Sequence, residues 1–299
     1  MFEKIVIVDS TGLRPWAVQR LRELVRQVEE YKNIPENNKI LIERIGDAEG
    51  VLVSYNTRID REVIEACPAI RYIGMCCTLY SEQSANVDIA AARERGIVVT
   101  GIRDYGDEGV VEYVISELVR LLHGFGRQRW REEAYELTGL KVGIVGLGRT
   151  GNMIAKGLKF LGAEVYYHNR HRKQEAEQEG MVYLPLDQLL QQVDILGTCL
   201  PRNTFVLGKD EFAALGEGKI FFNTSVGPTF DEEALVEWLK GTGNFYMCDQ
   251  VGMGDLKSYL LSLDNVLLTY RVSGHSAQCM ERLSRKVLEN FCRYMEIDE

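Results

Sequence analysis

No stretch of the 299 residues approaches the ~20 consecutive apolar residues of a membrane-spanning helix, so neither a helical membrane protein nor a membrane partner is expected. Cysteine is sparse and unpatterned. Seven are present (Cys67, Cys76, Cys77, Cys199, Cys248, Cys279 and Cys292), an odd number, scattered and mostly set in apolar runs, which argues against a disulfide framework and for reduced, buried thiols. Histidine is rarer still, with four in the chain, and no spacing of His with Cys has the form of a metal site, so no metal is expected. Positive charge is in deficit. Against 44 acidic residues stand 35 Lys and Arg, and a net charge of −9 makes nucleic acid an unexpected partner. The amino terminus enters a strand pattern directly, without the basic and apolar regions of a signal peptide, and cytoplasmic residence is the expectation.

What the chain does contain is a soluble-protein composition, 45% apolar and 26% charged, with length enough for two domains that each bury a core. Residues 140–173 organise the rest. An apolar run at 142–145 enters a turn with Gly146, Gly148 and Gly151, a helix-period segment follows (Met153, Ile154, Leu158, Leu161), and a second apolar run closes the unit at 165–167. In such a βαβ unit the first glycine permits the tight turn, the second admits a pyrophosphate to the backbone, and the third lets helix and strand pack closely. Gly146, Gly148, Arg149, Thr150 and Gly151 are therefore the expected dinucleotide-phosphate residues. At the end of the next strand, where an acid would accept bonds from the ribose 2′-hydroxyl, stands Asn169, followed by Arg170, His171, Arg172 and Lys173. Asn169, Arg170 and Arg172 suit a 2′-phosphate, so NADP(H) is expected over NAD(H).

On both sides of this unit strand and helix patterns alternate. Before it, strands are expected at 4–8, 50–54, 71–76 and 96–100, with helical spacing at 15–31, 60–66 and 85–95. A long apolar helix at 107–124 and a polar connector at 127–136 lead into the glycine turn. After it, strands are expected at 181–183, 194–198, 220–223, 245–249 and 266–269, and 277–295 is amphipathic with no strand to follow. The predicted fold is α/β with two doubly wound parallel-sheet domains: a Rossmann dinucleotide-binding domain, 105–272, inserted in a flavodoxin-like substrate domain built from 1–104 plus 273–299.

With these positions in place, nearly the whole chain resembles the D-isomer-specific 2-hydroxyacid dehydrogenases. The likeness rests on 140–151, on 193–201 before Arg202-Asn203-Thr204, on 222–225 leading to 231–235, and on Cys248-Asp249 followed by 266–269. It implies hydride transfer between nicotinamide and a small 2-oxo acid in a cleft between the domains of a homodimer. It also implies that Pro201 and Thr224 line the nucleotide and that Asp249 hydrogen-bonds the nicotinamide carboxamide. The family's catalytic Arg, His and Glu fall at Val226, Arg271 and about Gly254, so all three are absent. Arg271 as an anion clamp and His275 as an acid or base are the candidate replacements. Tyr80, Tyr105 and Tyr270 are further hydroxyl donors, and each is expected to be structural, as are Cys76, Cys77 and His123. The substrate-side loop, expected at 74–81, is longer than the family's and short of glycine. Two functions are compatible with these residues: a reductase of an altered small carbonyl or imine substrate, and a noncatalytic nicotinamide-binding sensor or interaction protein.

Overall fold

The first nine regular segments alternate along the chain as β1 (Lys4–Ile7), α1 (Pro15–Leu24), β2 (Gln27–Glu30), α2 (Asn38–Ile45), β3 (Gly50–Val53), α3 (Arg61–Ala66), β4 (Tyr72–Thr78), α4 (Ile89–Glu94) and β5 (Val98–Ile102), with a 3₁₀ turn at Glu82–Ser84. The structure, a computed structural model, describes residues 2–253, 260 and 262–297. It divides into two units, Met1–Tyr105 with Ser276–Glu299, and Gly106–His275. In the first unit every strand pair is parallel and the order is β2-β1-β3-β4-β5, the flavodoxin-like order. Central strands read as unbroken apolar runs because both faces are covered, and β3 is buried at all four positions.

Three departures from the expected elements occur here. The 15–31 helix ends at Leu24: Val25 is already extended (φ −133°, ψ 159°), and Gln27–Glu30 pairs with β1, with Tyr31 N–H donating to Ile7 O at 2.9 Å. Val25 and Val28 satisfy a helical period from Leu21, but a β-branched residue beside an open strand edge gains more from pairing, and tertiary context overrides the period. The α2 helix was not anticipated. Its Asn37 side chain accepts from Ile40 N–H, and Leu41 and Ile45 make one buried face. The expected 74–81 loop is also shorter than read, since β4 continues to Thr78 through a register shift after Gly74. A Cβ on Gly74 would stand 2.5 Å from Leu52 Cδ2, so this glycine serves sheet packing.

The second unit contains α5 (Asp107–His123), β6 (Lys141–Val145), α6 (Arg149–Phe160), β7 (Glu164–His168), α7 (Gln174–Gln178), β8 (Val182–Tyr183), α8 (Leu186–Gln192), β9 (Ile195–Thr198), α9 (Lys209–Leu215), β10 (Ile220–Asn223), α10 (Glu232–Leu239), β11 (Phe245–Asp249), α11 (Gln250–Met253) and β12 (Val266–Thr269). Its parallel sheet is ordered β12-β11-β10-β9-β6-β7-β8, so the direction of winding reverses between β6 and β9. Ligands of doubly wound sheets lie outside the carboxyl ends of the strands at that reversal. Close approach is built into the packing. Gly157 of α6 faces Ile115 of α5, where a Cβ would meet Cδ1 at 2.7 Å, and Gly197 of β9 faces its sheet partner Phe222, where a Cβ would meet the ring at 2.0 Å.

The last helix, α12 (Ala277–Met295), belongs to the first unit and packs on β4, β5 and α1. Ser276 caps it through Cys279 N–H at 3.0 Å, and Phe291 sets its ring edge-on to Tyr72 at 5.5 Å. The unit borders fall at Tyr105/Gly106 and His275/Ser276, against 104/105 and 272/273 expected. The three-residue difference has a cause: Ser273 is tied to Asp249 in the second unit, and Ser276 begins the helix cap.

Candidate functional site

The three glycines after β6 occupy three different environments. Gly146 has φ +96°, and a Cβ there would lie 2.5 Å from Cys199 O. At Gly151 a Cβ would lie 2.2 Å from Gly146 O. Both are fixed by contacts inside the protein. Gly148, the exposed N-cap of α6, has φ −75° and ψ −161° and no atom within 4 Å of its would-be Cβ. The open space lies where a pyrophosphate would approach the backbone, so the turn fits a dinucleotide. The first N–H groups of the 12-residue α6 have no intrahelical acceptor and form the positive end of its dipole. They would hold the phosphates, and the nicotinamide would supply or accept hydride.

Two side chains that follow this turn, Arg149 and Thr150, reach α5. Thr150 Oγ1 donates to Asp107 Oδ1, and Arg149 Nε donates to Asp107 Oδ2 at 3.1 Å, with Glu108 Oε1 3.7 Å from Arg149 Nη2. Asp107 is buried, 9% exposed. Sequence reasoning missed this residue. Asp107-Glu108 looked like ordinary acidic residues of a helix first turn, and nothing local marks a partner 42 positions away.

At the ribose end, the basic cluster separates into engaged and exposed members. Arg172 makes a two-pronged pair with Glu177 (2.9 and 2.6 Å) and lies 5.4 Å over the Tyr183 ring. The hydrogen bond and charge of Arg172 hold the Glu177 carboxyl below its ordinary range. Asn169 Nδ2 donates to His171 O at 3.0 Å, which folds the loop on itself. Arg170 is exposed and makes no hydrogen bond or ion pair among the described residues.

Beyond the reversal point, the loops after β9 to β12 are wired together by buried polar groups. Asn223, fully buried, accepts from Thr198 Oγ1 and Ser225 N–H and donates to Gly227 O and Gly252 O. Thr224 Oγ1 donates to Thr198 O at 3.1 Å, while Pro201 is exposed at the rim. Burial pushes the neighbouring Cys199 thiol up to about 12, so it stays protonated. Asp249 is more occupied than expected of a cofactor ligand. Its Oδ1 accepts from Val251 and Gly252 N–H (3.0 and 2.7 Å) and its Oδ2 from Ser273 N–H and Oγ (2.8 and 2.6 Å), filling the roughly four lone-pair sites of a carboxylate. It thereby fixes the turn that carries both candidate catalytic residues.

Arg271 is exposed, held through its backbone: its N–H donates to Thr269 Oγ1 and its carbonyl accepts from Gln250 N–H, both at 3.3 Å. His275 has an exposed edge, yet enough protein surrounds the ring that burial lowers its pKa from 6.5, with Asp249 opposing the shift. Val226 is 39% exposed at this rim, and Gly254 lies outside the described residues. Tyr270 is 71% exposed, while His123 stacks on Phe125 at 4.7 Å.

In the first unit the carboxyl ends of β1 and β3 meet at another buried carboxylate. Asp9, 1% exposed, accepts from Ser54 N–H and Oγ and from Thr57 Oγ1. Cys76 and Cys77 are buried beside it in β4, and burial raises the Cys76 thiol well above its ordinary value. Tyr105 is likewise raised by burial, and Arg103 lies over the exposed Tyr80 ring. Among the described residues no group of three His, Cys, Asp or Glu could hold a metal, and no helix is long and apolar enough to cross a membrane.

Comparison with known proteins gives this geometry a family. The family model described as D-isomer specific 2-hydroxyacid dehydrogenase, NAD binding domain, matches residues 115–273. A hydroxypyruvate reductase of Blautia hydrogenotrophica is 28% identical, covering 98% of this chain and 97% of its own. A glyoxylate reductase of Korarchaeum cryptofilum is 27% identical, covering 87% of this chain and 83% of its own. Among solved structures, an acyclic imino acid reductase in complex with NADPH and D-Arg superposes with a TM-score of 0.82 over 98% of this chain and 97% of that one. At 20% identity that likeness is one of fold. The chain belongs to the D-isomer-specific 2-hydroxyacid dehydrogenases, and the parallel sheet around Gly146, Gly148 and Gly151 is its nicotinamide-dinucleotide-binding domain.

Proposed function

We propose that this protein is an NADP(H)-dependent reductase of a small carbonyl or imine substrate, with Arg271 and His275 in place of the family's catalytic set. The observation that carries this reading is the Asp249 clamp. Four accepted hydrogen bonds hold the β11 end against Ser273, so Arg271 and His275 leave one fixed turn at the carboxyl edge of the dinucleotide-binding sheet. The reduced nicotinamide supplies hydride when bound. Arg271, always charged, holds an anionic group of the substrate, and an imidazole nitrogen of His275 gives a proton to the substrate oxygen or nitrogen. The preference for NADP(H) rests on Asn169, which leaves no acid to bond the 2′-hydroxyl, and on the exposed Arg170. The reductase names of the curated relatives support reduction of small substrates. The decisive assay follows NADPH absorbance with a panel of 2-oxo acids, aldehydes and imines. Turnover of at least one supports the reading, and none across the panel, with NADPH still bound, overturns it.

Val226 favours a second reading. An apolar side chain at the position of the family's carboxylate-binding Arg suits a noncatalytic nicotinamide-binding sensor, for which that same null result is the expected one. In either reading the protein is a homodimer, as in the family it resembles, and Phe160 and Phe125, 89% and 71% exposed on the second unit, are the side chains to examine for a role in the interface. Light scattering on the purified chain tests the dimer.

A further inference from the structure

Of the side chains in the phosphate-binding turn, the cation Arg149 and the hydroxyl of Thr150 both end on one carboxylate, Asp107, and the next acid of α5, Glu108, stands 3.7 Å from the same guanidinium. A guanidinium beside a helix N-terminus is the natural partner of a phosphate. Here it is engaged by two acids of α5, the buried Asp107 and the part-exposed Glu108, and Asp107 adds negative charge beside the place a dinucleotide brings its own.

We propose that Asp107 is a built-in restraint on dinucleotide affinity. It holds the Arg149 guanidinium away from the phosphates and sets a carboxylate next to them, so the dinucleotide binds through the backbone N–H groups of the turn. Release of Arg149 by the first turn of α5 strengthens that binding. By thermodynamic reciprocity, dinucleotide binding in turn loosens the Asp107 contact. Asp107 is the second residue after the border at Tyr105/Gly106, so the loosened contact lies where the chain enters the dinucleotide-binding unit. The inference rests on dinucleotide binding and is independent of whether the protein reduces anything.

The test is titration of NADPH and NADH into the full chain, native, Asp107→Asn and Glu108→Gln, with melting temperature recorded for each. Asn keeps an acceptor for Thr150 while removing the charge. Asp107→Asn is expected to tighten both dinucleotides about tenfold, and Glu108→Gln about threefold, by the loss of one and of a more distant negative charge. Amide exchange at residues 107–110 of the native protein is expected to quicken at saturating NADPH. Unchanged or weaker binding by a folded Asp107→Asn overturns the proposal. If that variant does not fold, unchanged or weaker binding by Glu108→Gln overturns it. A native protein that binds neither dinucleotide overturns the dinucleotide reading itself.

Discussion

Replacing Gly148 by alanine separates cofactor binding from folding. The Gly148 backbone (φ −75°, ψ −161°) is accessible to alanine, and its Cβ would meet nothing within 4 Å. Alanine reduces the freedom of the unfolded chain, which stabilises by about 0.4–1 kcal/mol. It is a poorer N-cap than glycine, which costs up to about 1 kcal/mol. These nearly cancel, so the melting temperature should stay within about 4 °C of native. The methyl group fills the space a pyrophosphate needs, an overpacking of about 2 kcal/mol that weakens NADPH roughly 30-fold. Gly151→Ala is the contrast, because its Cβ would lie 2.2 Å from the Gly146 carbonyl and the backbone must move. It should cost about 3 kcal/mol and lower the melting point by about 6–12 °C. Scanning fluorimetry and NADPH titration of both variants decide the matter. Native-like affinity in Gly148→Ala, or a melting loss equal to that of Gly151→Ala, would refute the assignment of the open space.

Arg170→Ala should weaken NADPH about tenfold or more and leave NADH unchanged, as the loss of a charge-assisted phosphate bond predicts; equal NADH and NADPH affinity in the native protein contradicts the basis of that expectation. With the His275 pKa lowered below 6.5, its acid form is scarce at neutrality, so kcat/KM for reduction should rise as pH falls through that lowered value. A profile flat across pH 5–7, or one unchanged in His275→Gln, removes His275 from the chemistry. Asp249→Asn turns an amide NH₂ toward donors that now meet a carboxylate, and a buried mismatch of about 1–3 kcal/mol should appear as a melting loss of about 2–12 °C. Val226→Arg, at a position already 39% exposed, should fold normally and raise kcat/KM for 2-oxo acids about tenfold or more, and no gain counts against the placement of Val226 beside the substrate.

The elements that sequence periodicity made legible are those whose pattern had one solution. Residues 277–295 have apolar positions that fit a helix and no strand, and α12 spans that range. β6 followed by three glycines admits one geometry, and the +96° dihedral at Gly146 is its signature. Residues 25–28 had two solutions, and an open edge beside β1 chose between them. The site was legible where chemistry is local to the chain, as in the glycine turn. It was illegible where chemistry depends on which partner a side chain meets, as in Arg172 with Glu177, Asp107 with Arg149, and Asp249 with Ser273. Five to forty-two positions separate these pairs, and no composition or period signals which acid meets which base.

The misread strand has a consequence for colloidal behaviour. As the outer strand of its sheet, β2 would offer an unpaired row of backbone donors and acceptors to any passing chain, the geometry from which cross-molecular β-assembly begins. Its sequence, Gln27-Val28-Glu29-Glu30, puts two glutamates in four residues; Lys4 of β1 pairs with Glu29 and also with Asp47, and Arg22 stands 3.9 Å from Glu30, so the carboxylates are only partly balanced. A second copy aligning along this border would bring like carboxylates face to face. The carboxylates of Glu29 and Glu30 thus guard the protein against polymerising through its first sheet.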